Sequence, residues 1–314
     1  MLGIDGAALA QPAAPAWPSK PITIVVPLSP GAATDIETRM YAQKMTENIG
    51  RTVLVDYKPG AGSTIGTHYV VKSPPDGHTI IVMGPTLTFS QLSYPNLPYD
   101  PFKDIAPVSL MSKRPSIVLV HPSLPVKSVA EFIAYAKANP GKLNIGTAGA
   151  GSFAELGWQW FNSITGIKAT IVNYKGGAPT SAALMAGEVH VALGGLSQMT
   201  PHIKAGKVRL IGVTTAERSK VIPDVPTMAE QGAPGFAYEQ WLGMGVAAAT
   251  PPAIVNRLYT ELARAAKSPD IIAKLQDDGT IIVASTPQEF RDRLANESAR
   301  WRKVAQLSGA KLAQ

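Results

Sequence analysis

The sequence PITIVVPLSPGAATD (residues 21–35) combines the features of a buried strand, a sharp turn and the beginning of a helix. Residues 22–26 are mostly β-branched, which is typical of a strand covered on both faces of a parallel sheet. Two prolines and a glycine then turn the chain, and Thr34 or Asp35 is predicted to cap a helix that begins near Ile36. A helix that begins directly after a strand presents free backbone N–H groups and the positive end of its dipole. The stretch therefore predicts a site for a small anion.

A second stretch of the same kind is NIGTAGAGSFAEL, residues 144–156. Ser152 and Glu155 form a capping box, which predicts the start of a helix directly after a glycine-rich loop. We expect the loops Gly31–Asp35 and Gly149–Ser152 to face each other across a cleft and to hold the two ends of one dicarboxylate. Carboxylate oxygens accept strong hydrogen bonds from the N–H and hydroxyl groups of such loops. Each loop by itself is also what an ordinary tight strand-to-helix turn would show.

Strands and helices are predicted to alternate along the chain, which favours parallel sheets built from right-handed βαβ units. The pattern restarts near residue 116, so we predict an α/β fold with two lobes around a central cleft, joined by two crossovers. The first lobe is expected to contain residues 17–118 and 240–314, and the second lobe residues 119–239. Residues 84–113 are expected to be mostly loop, and the C-terminal helices are expected to close on the first lobe.

The N-terminus indicates export. Residues 1–16 are interpreted as the remnant of a signal peptide followed by a linker. Ala7–Gln11 has the small-x-small pattern of a signal-peptidase site, and an Ala/Pro-rich spacer continues from it to Trp17. No later stretch contains 18 or more apolar residues, so no membrane-spanning helix is predicted.

Composition argues against several kinds of chemistry. The chain has no cysteine, which rules out disulfides, thiol catalysis and thiolate metal sites. The five histidines show no metal-binding spacing, and the glycine run at 146–151 has the dinucleotide fingerprint in reverse order, so no cofactor or metal is predicted. The formal charge of +7 comes from dispersed Lys and Arg without a nucleic-acid-binding motif, so no nucleic-acid partner is expected. No pair of acids accompanies a plausible nucleophile, and the chain is therefore not predicted to be an enzyme.

Several short motifs follow one another in a fixed order over nearly the whole chain after Trp17. They are P-x-S-P-G-A-A-T-D-I (27–36), R-x-V-L-V-D-Y-K-P-G-A-G-S-T-I-G (51–66), P-D-G-H-T (75–79), Y-P-N-L-P-Y-D-P-F-K-D (94–104), P-G-K-L-N (140–144), G-A-G-S (149–152), Y-K-G-G-A-P (174–179), P-H-I-K-A-G-K (201–207) and V-I-P-D-V-P-T (221–227). In content and order this series resembles the Bug family, the periplasmic solute receptors of tripartite tricarboxylate transporters.

The resemblance implies a type II periplasmic-binding-protein fold, in which two lobes close on a ligand. It implies that the loop after the first strand and the loop that opens the second-lobe helix grip a carboxylate through backbone groups and bridging waters. It also implies a position facing the cleft for Thr86, while Phe153, Tyr174 and Trp241 could supply an apolar wall. The predicted ligand-binding residues are Ser29, Gly31, Ala32, Ala33, Thr34, Asp35, Thr86, Gly149, Ala150, Gly151, Ser152, Phe153, Tyr174, Gly194 and Gly195.

Departures from the family pattern bear on the ligand. Ala32 and Ala33 stand where family members have glycine, which leaves less room for the backbone to approach a carboxylate. Family members also have acids at the places of His190 and of residues 193–195, and their loss argues against an amino acid as the ligand. The two glycines of this last segment are expected to open space for a bulkier dicarboxylate, such as a terephthalate-like aromatic acid.

The predicted function is that of a periplasmic receptor that captures a small organic carboxylate by lobe closure. The receptor then delivers it to the membrane permease of a tripartite tricarboxylate transporter. The ligand is expected to be an aliphatic or aromatic dicarboxylate, Lys175 is expected to assist its capture, and the receptor is expected to be a monomer. The alternatives are a ligand-dependent co-receptor for a sensor kinase and an α/β enzyme that acts on a carboxylate.

Overall fold

The computed structural model describes residues 17–31, 33–94, 96–149, 152–276 and 279–308, and the predicted signal-peptide remnant at residues 1–16 lies outside the described residues. In chain order the strands are β1 (Ile22–Val26), β2 (Val53–Tyr57), β3 (Thr79–Met83), β4 (Ile105–Arg114), β5 (Ile117–Val120), β6 (Asn144–Thr147), β7 (Thr170–Asn173), β8 (Val191–Gly194), β9 (Arg209–Val213), β10 (Gln240–Ala247) and β11 (Ile281–Ile282). The helices are α1 (Ala33–Ile49), α2 (Thr64–Val71), α3 (Thr86–Ser93), α4 (Val129–Ala138), α5 (Phe153–Thr165), α6 (Gly177–Ala186), α7 (Leu196–Lys204), α8 (Pro252–Ala266), α9 (Pro269–Gln276) and α10 (Pro287–Ser308), with a 3₁₀ turn at Ala61–Ser63.

The first sheet is built around β1. Among the described residues it has six strands in the order β11-β4-β10-β3-β1-β2. β1 pairs in parallel with β2 and β3, while β10 runs antiparallel between β3 and β4. Ile24 and Val25 point to opposite faces and both are fully buried, Ile24 in the core shared with α1 and α8 and Val25 in the core shared with Val70 of α2. The prediction of a strand covered on both faces is confirmed.

The second sheet repeats the plan with different strands. In the described part of the chain it has five strands in the order β7-β6-β8-β5-β9. β6 pairs in parallel with β7 and β8, and β5 runs antiparallel between β8 and β9. One face packs on the aromatic helix α5 through Trp158 and Phe161, and the other packs on α6 and α7 through Leu184 and Met199. Each sheet with its helices forms one lobe, called here the first and the second lobe.

The chain passes between the two sheets twice, from β4 to β5 and from β9 to β10. The first crossover consists of two residues, Pro115 and Ser116, whereas the second runs from Thr214 to Glu239. Ile117 and Val118, which the sequence analysis placed in the first lobe, are paired with β8 and β9 in the second sheet. The two-lobed α/β fold with two crossovers is therefore the observed architecture.

The segment 84–113, which was predicted to be mostly loop, instead contains α3 and most of β4. Pro107 argued against a strand here, because proline lacks the backbone N–H that a central strand needs for its hydrogen bonds. The structure accommodates it at an irregularity, since Pro107 lies opposite Gly245 next to a register shift between Met244 and Gly245. The prediction of a loop was wrong at this point.

The C-terminal helices were predicted to close on the first lobe, but α10 packs against both lobes. Phe290 near its start packs edge-on against Trp241 in the first-lobe core. Trp301 and Val304 belong to the second-lobe core, where Trp301 also meets Phe89 of α3 with ring centroids 5.6 Å apart. α10 thus binds the two lobes to each other next to the crossovers. Within the described residues no helix is both long and apolar enough to cross a membrane.

Candidate functional site

The loops that follow the parallel strands define the candidate site. β1, β2 and β3 run in one direction, so their carboxyl ends, and the loops leading to α1, α2 and α3, lie at one edge of the first sheet. β6, β7 and β8 likewise bring the loops leading to α5, α6 and α7 to one edge of the second sheet. Ligands of open α/β sheets bind outside the carboxyl ends of the strands, where helix N-termini converge.

The loop after β1 is held by a buried carboxylate. Asp35 is 4% exposed, and its Oδ2 accepts the backbone N–H of Gly31 at 2.8 Å. Its Oδ1 accepts the Nε–H of Arg39 at 2.8 Å and the hydroxyl of Tyr57 at 2.5 Å. Gly31 has φ of +94°, a conformation that favours glycine, so this bond fixes the loop at its sharpest point. α1 begins at Ala33 rather than near Ile36, and Asp35 lies in its first turn.

This cluster is close to electrically neutral. Burial disfavours the charged form of Asp35, but hydrogen bonds from Tyr57, Gly31 and Arg39 outweigh it and lower the pKa of the carboxyl group. The hydrogen bond and charge of Asp35 raise the pKa of Arg39, and burial together with Asp35 raises the pKa of Tyr57. Asp35 is therefore ionised and matched by Arg39. The capacity of this loop to bind an anion then depends on its backbone N–H groups and the dipole of α1.

The loop after β2 packs directly on the loop after β1. Lys58 N donates to Val26 O at 3.0 Å, and a Cβ on Gly66 would lie 2.8 Å from Pro27 Cβ. Three consecutive residues of the loop have left-handed backbone: Ala61, Gly62 and Ser63, with φ of 43°, 59° and 78°. Non-glycine residues in this conformation are rare and tend to cluster at binding sites, so Ala61 and Ser63 are candidate site residues that sequence reasoning missed.

Ser29 and Thr86 belong to the same edge of the first sheet. Ser29 is exposed in the loop after β1, between the strand and Gly31. Thr86 is half-buried and is the first residue of α3, directly after the carboxyl end of β3, rather than part of a turn. Ala33 and Thr34 open α1, while Ala32 lies outside the described residues. The predicted first-lobe residues are thus gathered at one edge, and their contact with a ligand stays a prediction.

The loop after β6 is closed by its own backbone and by the loop after β7. Gly149 has φ of +130°, and a Cβ there would lie 3.4 Å from Tyr174 O. Gly176 N donates to Ala148 O at 3.1 Å, which joins the two loops. Ser152 caps α5, since its Oγ accepts the N–H of Glu155 at 3.3 Å, as the capping box predicts. Ala150 and Gly151 lie outside the described residues.

A mainly neutral network supports this second loop from behind. Thr147 donates its hydroxyl to Asn173 Oδ1 at the ends of β6 and β7. Asn173 Nδ2 in turn donates to Glu155 Oε1 at 3.2 Å, and Thr180 of α6 donates to Thr147 O at 3.0 Å. Sequence reasoning missed Asn173 and Thr147, whose only signal was that each ends a parallel strand.

The aromatic residues proposed as an apolar wall are mostly packed into the protein. Trp241 is 4% exposed and donates its Nε1–H to Glu297 at 3.0 Å, so it belongs to the core and not to a ligand surface. Phe153 is 8% exposed and stacks on Tyr238 of the second crossover with ring centroids 3.8 Å apart. Tyr174 is half-buried and donates its hydroxyl to Glu188 at 3.3 Å. Contact of Phe153 and Tyr174 with a ligand stays a prediction.

The two glycines after Leu193 differ from each other. A Cβ on Gly194 would lie 2.9 Å from both Leu119 Cδ1 and Met199 Cγ, so this glycine is required by packing and opens no space. Gly195 is exposed, and no heavy atom lies within 4 Å of the place of its Cβ. Of these two glycines, Gly195 is the one that leaves room beside it.

His190 lies at the opposite edge of the second sheet. It precedes β8, and its Nδ1 accepts the backbone N–H of Asn144, the first residue of β6, at 3.0 Å. The amino ends of these strands are separated from the loops by the length of the strands. The sequence-based argument about the charge of the ligand therefore does not apply to position 190. Lys175, by contrast, is exposed in the loop after β7, at the edge where the site lies.

Two α/β lobes, each with helix N-termini at the carboxyl edge of its sheet, are the architecture of solute receptors that close on a small ligand. The chain belongs to the family described as the tripartite tricarboxylate transporter family receptor, whose model matches residues 38–309. Receptors of this family are periplasmic, and they bind a substrate rather than convert it, which supports the prediction that the chain is not an enzyme.

Known proteins of this family resemble the chain over nearly its whole length. Protein BugT of Bordetella pertussis is 32% identical over 312 residues, covering 98% of this chain and 96% of BugT. The structure of R. palustris Rpa4515 with adipate has a TM-score of 0.83 and 36% identity, covering 93% of this chain and 98% of that one. The structure of MatC from Rhodopseudomonas palustris with bound malate has a TM-score of 0.80 and 30% identity, covering 92% and 99%. The resemblance to the Bug family is confirmed.

Proposed function

We propose that this protein is a periplasmic receptor that closes its two lobes around a small organic dicarboxylate. The observation that carries the proposal is that each lobe has a loop, after β1 in the first and after β6 in the second, that leads from a parallel strand into a helix N-terminus. One carboxylate at each loop would satisfy N–H groups on both lobes. The relatives with adipate and malate show that this fold accommodates dicarboxylates of different lengths.

Closure follows from the position of the two loops. A ligand that bridges the lobes contacts both loops only when the lobes are shut, so binding shifts the population toward the closed state. A monocarboxylate would leave the donors of one loop without a partner in a desolvated cleft, which lowers its affinity. The free space at Gly195 supports a second ligand class, aromatic diacids, within the same proposal.

The closed receptor would then deliver its ligand to the membrane permease of a tripartite tricarboxylate transporter. The family description supports this step, because it assigns the matched region to the receptor of such a transporter. Delivery from the periplasm requires export, which agrees with the signal-peptide pattern in residues 7–11.

The test is a titration calorimetry panel of adipate, malate, terephthalate and hexanoate, with melting temperatures measured in parallel. A ligand that binds only the folded protein raises the melting temperature, so at least one diacid should do so and hexanoate should not. Equal binding of hexanoate and adipate, or no response to any acid, would contradict the proposal.

Two serine variants form a matched pair for the same panel. Ser152 caps α5 at the site and Ser128 caps α4 outside it, each through a hydrogen bond from a glutamate N–H. Both substitutions to alanine should destabilise the protein by about 1 kcal/mol. Only Ser152→Ala should also weaken binding of the diacid, by about tenfold, since the lost hydroxyl can donate to a carboxylate.

A further inference from the structure

A separate cavity lies at the hinge, where the second crossover meets α10. It has a volume of about 510 Å³, within the range of small-molecule sites, which is about 300–1,000 Å³. Its described lining contains no residue of the loops at the carboxyl edges of the two sheets. Its lining includes four acids, Glu239, Glu289, Asp292 and Glu297, together with Tyr238 and Trp301.

The cavity is acidic in a protein whose formal charge is +7. Four carboxylates and two guanidinium groups line it, which leaves a formal charge of −2. Arg293 is shared between Glu297 at 2.9 Å and Glu239 at 3.7 Å, and Glu239 also lies 3.7 Å from Lys113 of β4. Arg300 forms no ion pair with these acids among the described residues; it donates to Ala237 O and lies over the ring of Trp160.

Two of the four acids have only neutral partners in the described part of the chain. Glu289 accepts hydrogen bonds from Thr286, and Asp292 accepts one from Gln288 at 2.8 Å. Both side chains are exposed, and neither forms an ion pair with a cation among the described residues. A cation that entered the cavity would balance their charges.

Tyr238 provides an independent indication of a ligand. It is 3% exposed, and its hydroxyl has no hydrogen-bond partner among the described residues. Its ring is fixed between Phe153 and Trp301. Burial and the charge of Glu297 raise the pKa of its hydroxyl, while Arg300, like Glu297 a residue of the cavity lining, lowers it. A buried hydroxyl without a partner is costly, so its position beside an acidic cavity calls for a polar group of a ligand.

The arrangement of the acids selects the kind of cation. No three histidine or acidic side chains among the described residues lie close enough together to hold a metal ion. Carboxylates spread around a cavity with a Trp301 wall suit an extended organic ammonium ion, which aromatic rings also attract. We propose that the hinge cavity binds a small alkyldiammonium ion, with its charges near the acids of α10 and Glu239 and an N–H donated to the Tyr238 hydroxyl.

The experiment is calorimetric titration of the full chain with 1,4-diaminobutane at constant ionic strength. 1,4-Butanediol, which has the same length and no charge, is the control ligand. The diamine should bind at one saturable site and the diol should not. Tyr238→Phe should weaken the diamine about tenfold by removing one hydrogen bond to a charged group.

Asp292→Asn should weaken binding of the diamine several-fold. Glu47→Gln makes the same charge change at an exposed position of α1 away from the cavity and should leave binding unchanged. The proposal is overturned if the diamine does not bind, if the diol binds as well, or if all three variants respond alike. Adipate titrated into the same samples reports separately on the carboxylate cleft, so failure of one site is distinguishable from failure of the other.

Discussion

The loop of the first lobe and the loop of the second lobe look alike in sequence but are supported by different chemistry. The buried carboxylate of Asp35, bound to exposed Arg39 and half-buried Tyr57, fixes the first loop. The second loop is supported by the Thr147 hydroxyl and the Asn173 amide, which also donates to the Glu155 carboxylate. The geometry of the first loop should therefore depend strongly on one ionised side chain. In the second loop, each single substitution should disturb the geometry only slightly.

The largest expected effect is that of Asp35→Ala. The substitution removes three hydrogen bonds to a buried carboxylate, so we expect the free energy of unfolding to fall by about 2–3 kcal/mol. If the loop is then correctly folded only about a tenth of the time, diacid affinity falls about tenfold. Urea denaturation and calorimetry measure the two effects. Unchanged affinity in a folded variant would show that the cluster does not shape the site.

Gly194→Ala and Gly195→Ala compare a packed and an open position at the same edge of the second lobe. A methyl group on Gly194 meets Leu119 and Met199, so we expect a loss of stability of about 1–3 kcal/mol. The same group on Gly195 meets no neighbour, so stability should be unchanged while affinity for bulky aromatic diacids falls. Melting temperatures and a terephthalate titration separate the two. Equal destabilisation by both substitutions would contradict this description of the edge.

The pH dependence of stability should also reveal the contribution of ionised Asp35 in the first loop. The pKa of Asp35 lies below its ordinary value of 3.8 in the folded protein, so its contribution is complete above that value. The contribution is lost as the pH falls from 3.8 through the lower folded pKa. The difference in stability between wild type and Asp35→Asn should therefore be constant from pH 7 to 5 and narrow below pH 3.8. A gap that persists into strong acid would exclude ionisation as its cause.

Thr147→Val tests the neutral support of the second loop. It removes one hydroxyl and leaves the shape unchanged, and exposed Asn173 can then bond to water. We expect a loss of only about 1 kcal/mol and a change in diacid affinity of less than about tenfold. A loss as large as that of Asp35→Ala would abolish the contrast between the two loops.

Local chemistry allowed much of this structure to be predicted. The β-branched residues of β1 predicted a strand buried on both faces, and Ser152 caps α5 as its capping box predicts. The positions of the two loops followed because each joins a recognisable strand to the start of a helix. The predicted caps Thr34 and Asp35 of the first helix lie inside α1, which begins at Ala33.

What could not be predicted depends on contacts between distant parts of the chain. The strand β4 was missed because it contains Pro107. The register shift in β10 that accommodates this proline cannot be read from the sequence around it. The argument from position 190 about the ligand failed because strand direction, not residue type, places His190 at the amino edge of the second sheet. Trp241 was assigned to a ligand wall, although its partner Glu297 comes 56 residues later. Pairing across the fold decides each of these cases.

The smallest expected effect is on the association rate of the ligand. Lys175 is exposed in the loop after β7, at the edge where an anion would approach. Lys175→Gln should lower the association rate of a diacid about twofold at low salt, and the difference should disappear at high salt because exposed charges are screened. Lys72→Gln is the matched control, since Lys72 is equally exposed but follows α2, at the other edge of the first sheet. Stopped-flow fluorescence measures the rates. Equal slowing by both variants would show that the net charge, and not the position of Lys175, guides the ligand to the second loop.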